Sequence, residues 1–72
     1  MPPHWFIPIR SSDPHKRKKD VEEAVKGRGS LQSFWKTPDG AQLYAVIQTN
    51  DLSHDLLRDV QANGRPIPIE DV

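Results

Sequence analysis

Between Ser30 and Asn50 the sequence SLQSFWKTPDGAQLYAVIQTN alternates apolar and polar positions on either side of a turn signal. Period-two alternation predicts two β-strands. In Thr37-Pro38-Asp39-Gly40, Pro38 presets φ, Asp39 tolerates the bridge region and Gly40 supplies a left-handed residue. This predicts a three-residue hairpin loop, a type I turn closed by a G1 bulge, with Thr37 opposite Ala41. Trp35 then lies opposite Leu43, Ser33 opposite Ala45 and Leu31 opposite Ile47. That more apolar set is expected to face the core. Phe34, opposite Tyr44, and Gln32, opposite Val46, fall on the other surface. A slip of one residue would exchange the two faces.

The flanking segments supply the remaining elements. His4–Arg10 reads as a strand with Trp5, Ile7 and Ile9 on one side. Pro8 cannot donate to a ladder, so the strand is expected to be short or kinked there. Ser11-Ser12-Asp13-Pro14 is a helix-start signal, with Ser12 or Asp13 as cap. The cations of His15-Lys16-Arg17-Lys18-Lys19 oppose the dipole of a first turn. The firm helix is therefore Asp20–Lys26, with Val21, Ala24 and Val25 on one face and Gly27 or Gly29 as left-handed cap. A second helix, roughly Leu52–Ala62, has an apolar stripe of Leu52, Leu56, Leu57 and Val60. Asn50 or Asp51 caps it and Asn63-Gly64 stops it. Pro66-Ile67-Pro68-Ile69-Glu70 reads as an edge strand.

The order is β-α-β-β-α-β, which predicts an α+β fold of the ferredoxin-like, split βαβ type. Four antiparallel strands in the order 4-1-3-2 would carry both helices on one face. The other face has no internal cover. It is expected to show Phe6, Phe34, Tyr44 and Val46, with Gln32 and Gln48. Such an apolar patch marks an interface.

Bulk properties narrow the possibilities. Seventy-two residues make one small domain, 1–72, with a small core, and no cysteine is present to staple it. Oligomerisation is the expected source of added stability. Net charge is zero but uneven. Residues 1–36 hold eight Lys/Arg and four Asp/Glu, residues 37–72 two and six, giving +4 and −4. No apolar run is long enough for a membrane span. MPPHWFIPIR lacks the basic start and apolar centre of a signal peptide. A soluble cytoplasmic protein is the expectation.

The segment Gly27–Asp51, GRGSLQSFWKTPDGAQLYAVIQTND, resembles the central part of GYD-domain proteins and, more broadly, of the dimeric α+β barrel superfamily. The shared features are a Gly before the second strand, an aromatic-ending strand, a Gly-containing turn and an apolar third strand followed by Asn or Asp. The Gly-Tyr-Asp signature itself is absent, since Ala41 and Gln42 follow Gly40. The resemblance covers a third of the chain. It implies a dimer with sheets packed face to face. It carries no single function, because relatives include binding modules, isomerases and cofactor-free oxygenases.

Candidate chemistry is sparse. His4, His15 and His54 have no metal-ligand spacing, so no metal or cofactor is expected. His54, between Asp51 and Asp55, has the neighbours of an oriented general base, but acidic residues at a helix start explain the same pattern. The glycines of Gly27-Arg28-Gly29 lack the ending of a phosphate loop. The leading expectation is a non-catalytic homodimeric module that binds a small molecule or a partner protein. It would use Phe6, Phe34, Tyr44 and Val46 on the sheet face, and Trp5, Trp35, His54 and Arg58 in a cleft beside it. The alternative is an isomerase or cofactor-free oxygenase-like enzyme with His4 or His54 as proton shuttle and Tyr44 orienting substrate. A third reading is an RNA-binding domain in which Lys16, Arg17, Lys18 and Lys19 hold phosphates and sheet aromatics stack bases.

Overall fold

The computed structural model describes residues 3–10, 13–50 and 52–69. Its elements are β1 (His4–Ile9), α1 (Pro14–Val25), β2 (Gly29–Lys36), β3 (Leu43–Thr49), α2 (His54–Asp59) and β4 (Ile67–Ile69). The strands form one antiparallel sheet in the order β2-β3-β1-β4, or 4-1-3-2 from the other edge. Both helical segments lie on one face. Val21, Val25, Leu56 and Val60 are buried there against Ile7, Ile9, Leu43, Ala45 and Ile47. No helix among the described residues is long and apolar enough to cross a membrane.

The β2–β3 hairpin departs from the expected register. Thr37 lies opposite Gln42, whose carbonyl accepts the Thr37 N–H at 3.0 Å. The loop is therefore four residues, Pro38 to Ala41. Gly40 takes the left-handed φ of 74° and its N–H donates to the Thr37 carbonyl. The extra loop residue shifts the near half of the ladder by one, pairing Trp35 with Tyr44, Phe34 with Ala45 and Ser33 with Val46. A bulge between Leu31 and Ser33 takes the shift back, and Leu31 pairs with Ile47 as expected. Trp35 thus leaves the core face and Phe34 joins it, the reverse of the expected assignment.

β1 continues through Pro8 in unbroken register with β3, and is not cut short there. The Pro8 carbonyl points away from β3 and accepts the Asn63 N–H at 2.6 Å. A residue's N–H and C=O point to the same side of a strand. The donor that Pro8 lacks is therefore on the side where β4 has already ended, and no ladder bond is lost.

α1 begins at Pro14, a turn and a half before Asp20. Asp13 caps it, accepting the His15 N–H at 3.0 Å, with Pro14 at the first helical position. Of the other cap candidates, Ser12 and Asp51 lie outside the described residues. The first-turn cations are tolerated because Arg17 does not stay beside the helix start. It occupies the inward stripe with Val21 and Val25. One terminal guanidinium nitrogen donates to the Val60 carbonyl at 2.9 Å, and the other to Asp20 at 3.1 Å. Val60 closes α2, so a buried cation of one helix sits on the negative end of the other. Its Nε is buried without a partner among the described residues.

α2 is shorter than expected, six residues, because Ser53 caps it, accepting the Leu56 N–H at 3.2 Å. Its stop precedes Asn63-Gly64. Gln61 takes φ 57°; its N–H donates to the Arg58 carbonyl and that of Ala62 to the Leu57 carbonyl. This is a Schellman closure with glutamine in the left-handed place usually held by glycine. At the end of α1, Gly27 is the left-handed residue, with φ 81°. Gly29 serves close approach instead: a Cβ there would run into the Gln48 carbonyl oxygen.

Two stability predictions follow from these helix ends. Arg17→Ala should lower unfolding free energy by about 2 kcal/mol, a buried charged hydrogen bond, whereas Lys18→Ala should change it by less than about 0.5 kcal/mol. Equal effects in urea melts would refute the distinction. Gln61→Gly should raise stability by roughly 0.5–1 kcal/mol through relief of the left-handed backbone; a lower midpoint would show that the side chain matters more than φ.

Candidate functional site

The sheet face away from the helices has no covering layer among the described residues, although Pro8 at its end is buried. Its side chains fall in three rows across the strands, set by the pairing registers. Ser30, Gln48, His4 and Ile69 form the first. Gln32 and Ser33 at the bulge, with Val46, Phe6 and Ile67, form the second. Trp35, Tyr44 and Pro8 form the third. In the first two rows, Gln32 Nε2 donates to Gln48 Oε1 at 3.2 Å and to Ser30 Oγ at 2.8 Å.

The aromatic residues of this face cluster. Phe6, Trp35 and Tyr44 have ring centroids 5.8 to 6.1 Å apart in tilted and edge-on arrangements. These are favourable aromatic geometries. Trp35 and Ile67 remain 47% exposed. None of these twelve strand positions carries Asp, Glu, Lys or Arg. At the chain's 28% charged content, twelve positions would hold about three. Depletion of charge with enrichment of aromatics is the compositional mark of an interface core.

The other expected site residues are dispersed. Phe34 turns inward and packs against the core. Trp5 is on the helix face, its indole N–H donating to the Thr49 carbonyl at 3.2 Å. The expected cleft of Trp5, Trp35, His54 and Arg58 does not assemble, because the sheet separates Trp5 from Trp35. Arg58 is exposed on α2 and pairs loosely with Asp55 and Asp59, at 3.4 and 3.9 Å. His54 is the exposed first residue of α2, on the side of the sheet opposite Tyr44. His4 shares the open face with Tyr44 but lies in another row.

Of the basic run, Lys16, Lys18 and Lys19 are exposed on α1 in the helix layer, and Arg17 is buried. Among the described residues no group of His, Asp and Glu could hold a metal ion. Two shallow depressions lie elsewhere. One, of about 490 Å³, runs between α1 and β2 over Val25 and Leu31; the other, of about 330 Å³, is lined by Arg10, Leu57, Arg58, Gln61 and Ala62. Neither adjoins Trp35 or Tyr44.

Compared with protein families, with curated proteins and with solved structures, the chain matches none.

Asp39 holds the loop that turns Trp35 outward. Its carboxylate accepts the Thr37 hydroxyl and the Ala41 N–H, the latter at 3.0 Å, while the Gln42 N–H donates to Thr37 Oγ1. The Thr37 hydroxyl, then the Ala41 N–H, holds the Asp39 carboxyl below its ordinary value of 3.8. A carboxyl depressed in the fold stabilises it above the unfolded-state value, and the contribution is lost as pH falls through the folded value. Wild type should therefore exceed Asp39→Ala in thermal stability at pH 6, and the gap should narrow as pH drops below 3.8. A gap of constant size between pH 6 and pH 2 would contradict this role.

Proposed function

We propose that the protein is a small, non-catalytic, ferredoxin-like module that pairs with a second copy through the open face of its sheet. The single observation that carries this reading is the charge-free aromatic face. The ferredoxin-like assignment is supported by the order 4-1-3-2 with both helical segments on one face. The proposed kinship with GYD-domain and dimeric α+β barrel proteins rests on the Gly27–Asp51 segment.

A second copy fits this face for electrostatic reasons. Two uncharged faces meet without like-charge repulsion, and neither buries an unpaired ion. Four strands about 4.8 Å apart, each of some six residues rising about 3.4 Å, give roughly 400 Å² in projection. With side-chain relief, two such faces approach the lower end of specific interfaces, about 1,200 Å² in total. An affinity on the order of micromolar is the natural expectation.

The alternatives are less well supported. Phe6, Trp35 and Tyr44 resemble a base-stacking platform. The exposed lysines of α1 are in the helix layer, however, and phosphates beside stacked bases would meet no cation among the twelve strand positions of the face. An enzyme using His54 with Tyr44 would need groups from both sides of the sheet, and His4 with Tyr44 would have to act across separate rows. A small molecule or unlike partner on the open face would displace the second copy.

Sedimentation velocity at pH 8 between about 1 and 200 µM should show a monomer–dimer equilibrium. Tyr44→Asp and Trp35→Ser should give folded monomers, while Phe34→Ser should lower stability instead. A wild-type chain that stays monomeric over the whole range rejects the proposal.

A further inference from the structure

We propose that His4 makes this pairing pH-dependent: the dimer forms with both His4 imidazoles neutral and separates when they take up protons. This rests on the reading of the open face as the contact between copies. Among the twelve strand positions of the face, His4 is the only side chain of a type that changes charge between pH 5 and 8. It is not at the margin across the strands. β1 runs between β3 and β4, so His4 has Gln48 on one side and Ile69 on the other. The sheet continues past it, since the Thr49 N–H donates to the Pro3 carbonyl at 3.0 Å. His4 is half-buried in the single copy, and an opposing sheet would strip much of its remaining water.

The groups around the imidazole explain the direction. β3 presents the Gln48 carboxamide, whose oxygen already accepts from Gln32; β4 presents Ile69; β1 itself presents Phe6 along the face. No carboxylate or cation meets His4 from these strands among the described residues, and the helices occupy the opposite face. An imidazolium covered by a second copy would therefore be desolvated without an anion to offset it. Glu70 follows Ile69 in sequence and lies outside the described residues, so its part is tested separately. His15 and His54 are exposed at the starts of the helices, away from the contact.

The size of the effect follows from linkage. Histidine side chains change charge in this range, so a dimer that excludes one proton from each copy weakens roughly 100-fold between pH 7.5 and 5.5. Sedimentation velocity of the full chain at pH 7.5, 6.5 and 5.5 and fixed ionic strength reads this directly, with circular dichroism reporting the fold. The wild-type Kd should rise about 100-fold, that of His4→Gln less than about 3-fold, and Glu70→Gln should follow the wild type. In the wild type, the NMR titration midpoint of the His4 ring should fall as protein concentration rises through Kd, a readout that needs no variant. A dimer whose Kd is indifferent to pH, tightens in acid or shifts equally in His4→Gln, or a His4 midpoint independent of concentration, overturns the switch and leaves the dimer standing. No dimer at pH 7.5 overturns the pairing itself.

Discussion

The carboxylate of Asp39 determines which aromatic residue the molecule shows. By accepting the Ala41 N–H it holds Ala41 inside the loop, so that Thr37 closes on Gln42. That one residue carries through the ladder with period two, and everything from Lys36 to Ser33 changes face. Had the shift run to Gly29, Leu31 would also have turned outward. The bulge beside Gln32 stops it, and places Gln32 beside Ser30 and Gln48 on the same surface. Loop and bulge are one device: together they put Trp35 next to Tyr44 and Phe6 while Leu31 and Phe34 remain on the core.

Charge is distributed around the same sheet. The cations and anions of α1 and α2 are in the helix layer, where exposed ion pairs such as Arg58–Asp55 contribute little to stability. Arg17 is the exception, taken into the core stripe because the end of α2 supplies carbonyl density for it. The uneven +4 and −4 of the two halves meet at the helix layer in an ion pair of Arg28 with Asp59 at 3.8 Å. The outer sheet face is left with amides, hydroxyls, aliphatic side chains, aromatics and one imidazole. A neutral face beside a charged helix layer separates the part of the molecule that tolerates water from the part that gains by losing it.

Much of this was readable beforehand, for definite physical reasons. β3 was legible because Leu43, Ala45 and Ile47 keep a strict period of two, and all three are buried. The stripe Leu52, Leu56, Leu57 and Val60 was equally clear, although only Leu56 and Leu57 of it fall within the helix proper. β2 misled because it is not periodic. Its inward residues, Leu31 and Phe34, are three apart, an interval that a regular strand cannot place on one face and that marks an inserted residue. The cleft failed with it, since Trp35 was to be its wall. The start of α1 was obscured because Arg17 holds an inward helical position, and a pattern scored on apolar residues skips a cation there. Its partner, the Val60 carbonyl, is 43 residues away and has no local signal. The hidden capacity of Ile67 and Ile69 was masked by the prolines around them, which spoke for an edge and not for a face.

A sheet with one buried and one open face leaves the chain only partly satisfied. β3 shows the imbalance most clearly, with Leu43, Ala45 and Ile47 fully buried and Tyr44, Val46 and Gln48 half-buried on the other side. A domain of this size gains only a few kcal/mol from one core. Removing even a further ~200 Å² of apolar surface per copy from water would contribute about 5 kcal/mol at ~25 cal/mol per Å², comparable with the ~5–15 kcal/mol that stabilises a typical fold. Association would then add to the stability of a fold the single copy already holds, and the midpoint of unfolding would rise with protein concentration. If His4 weakens such pairing in acid, it would then also lower the stability of the fold, although it lies outside the buried core.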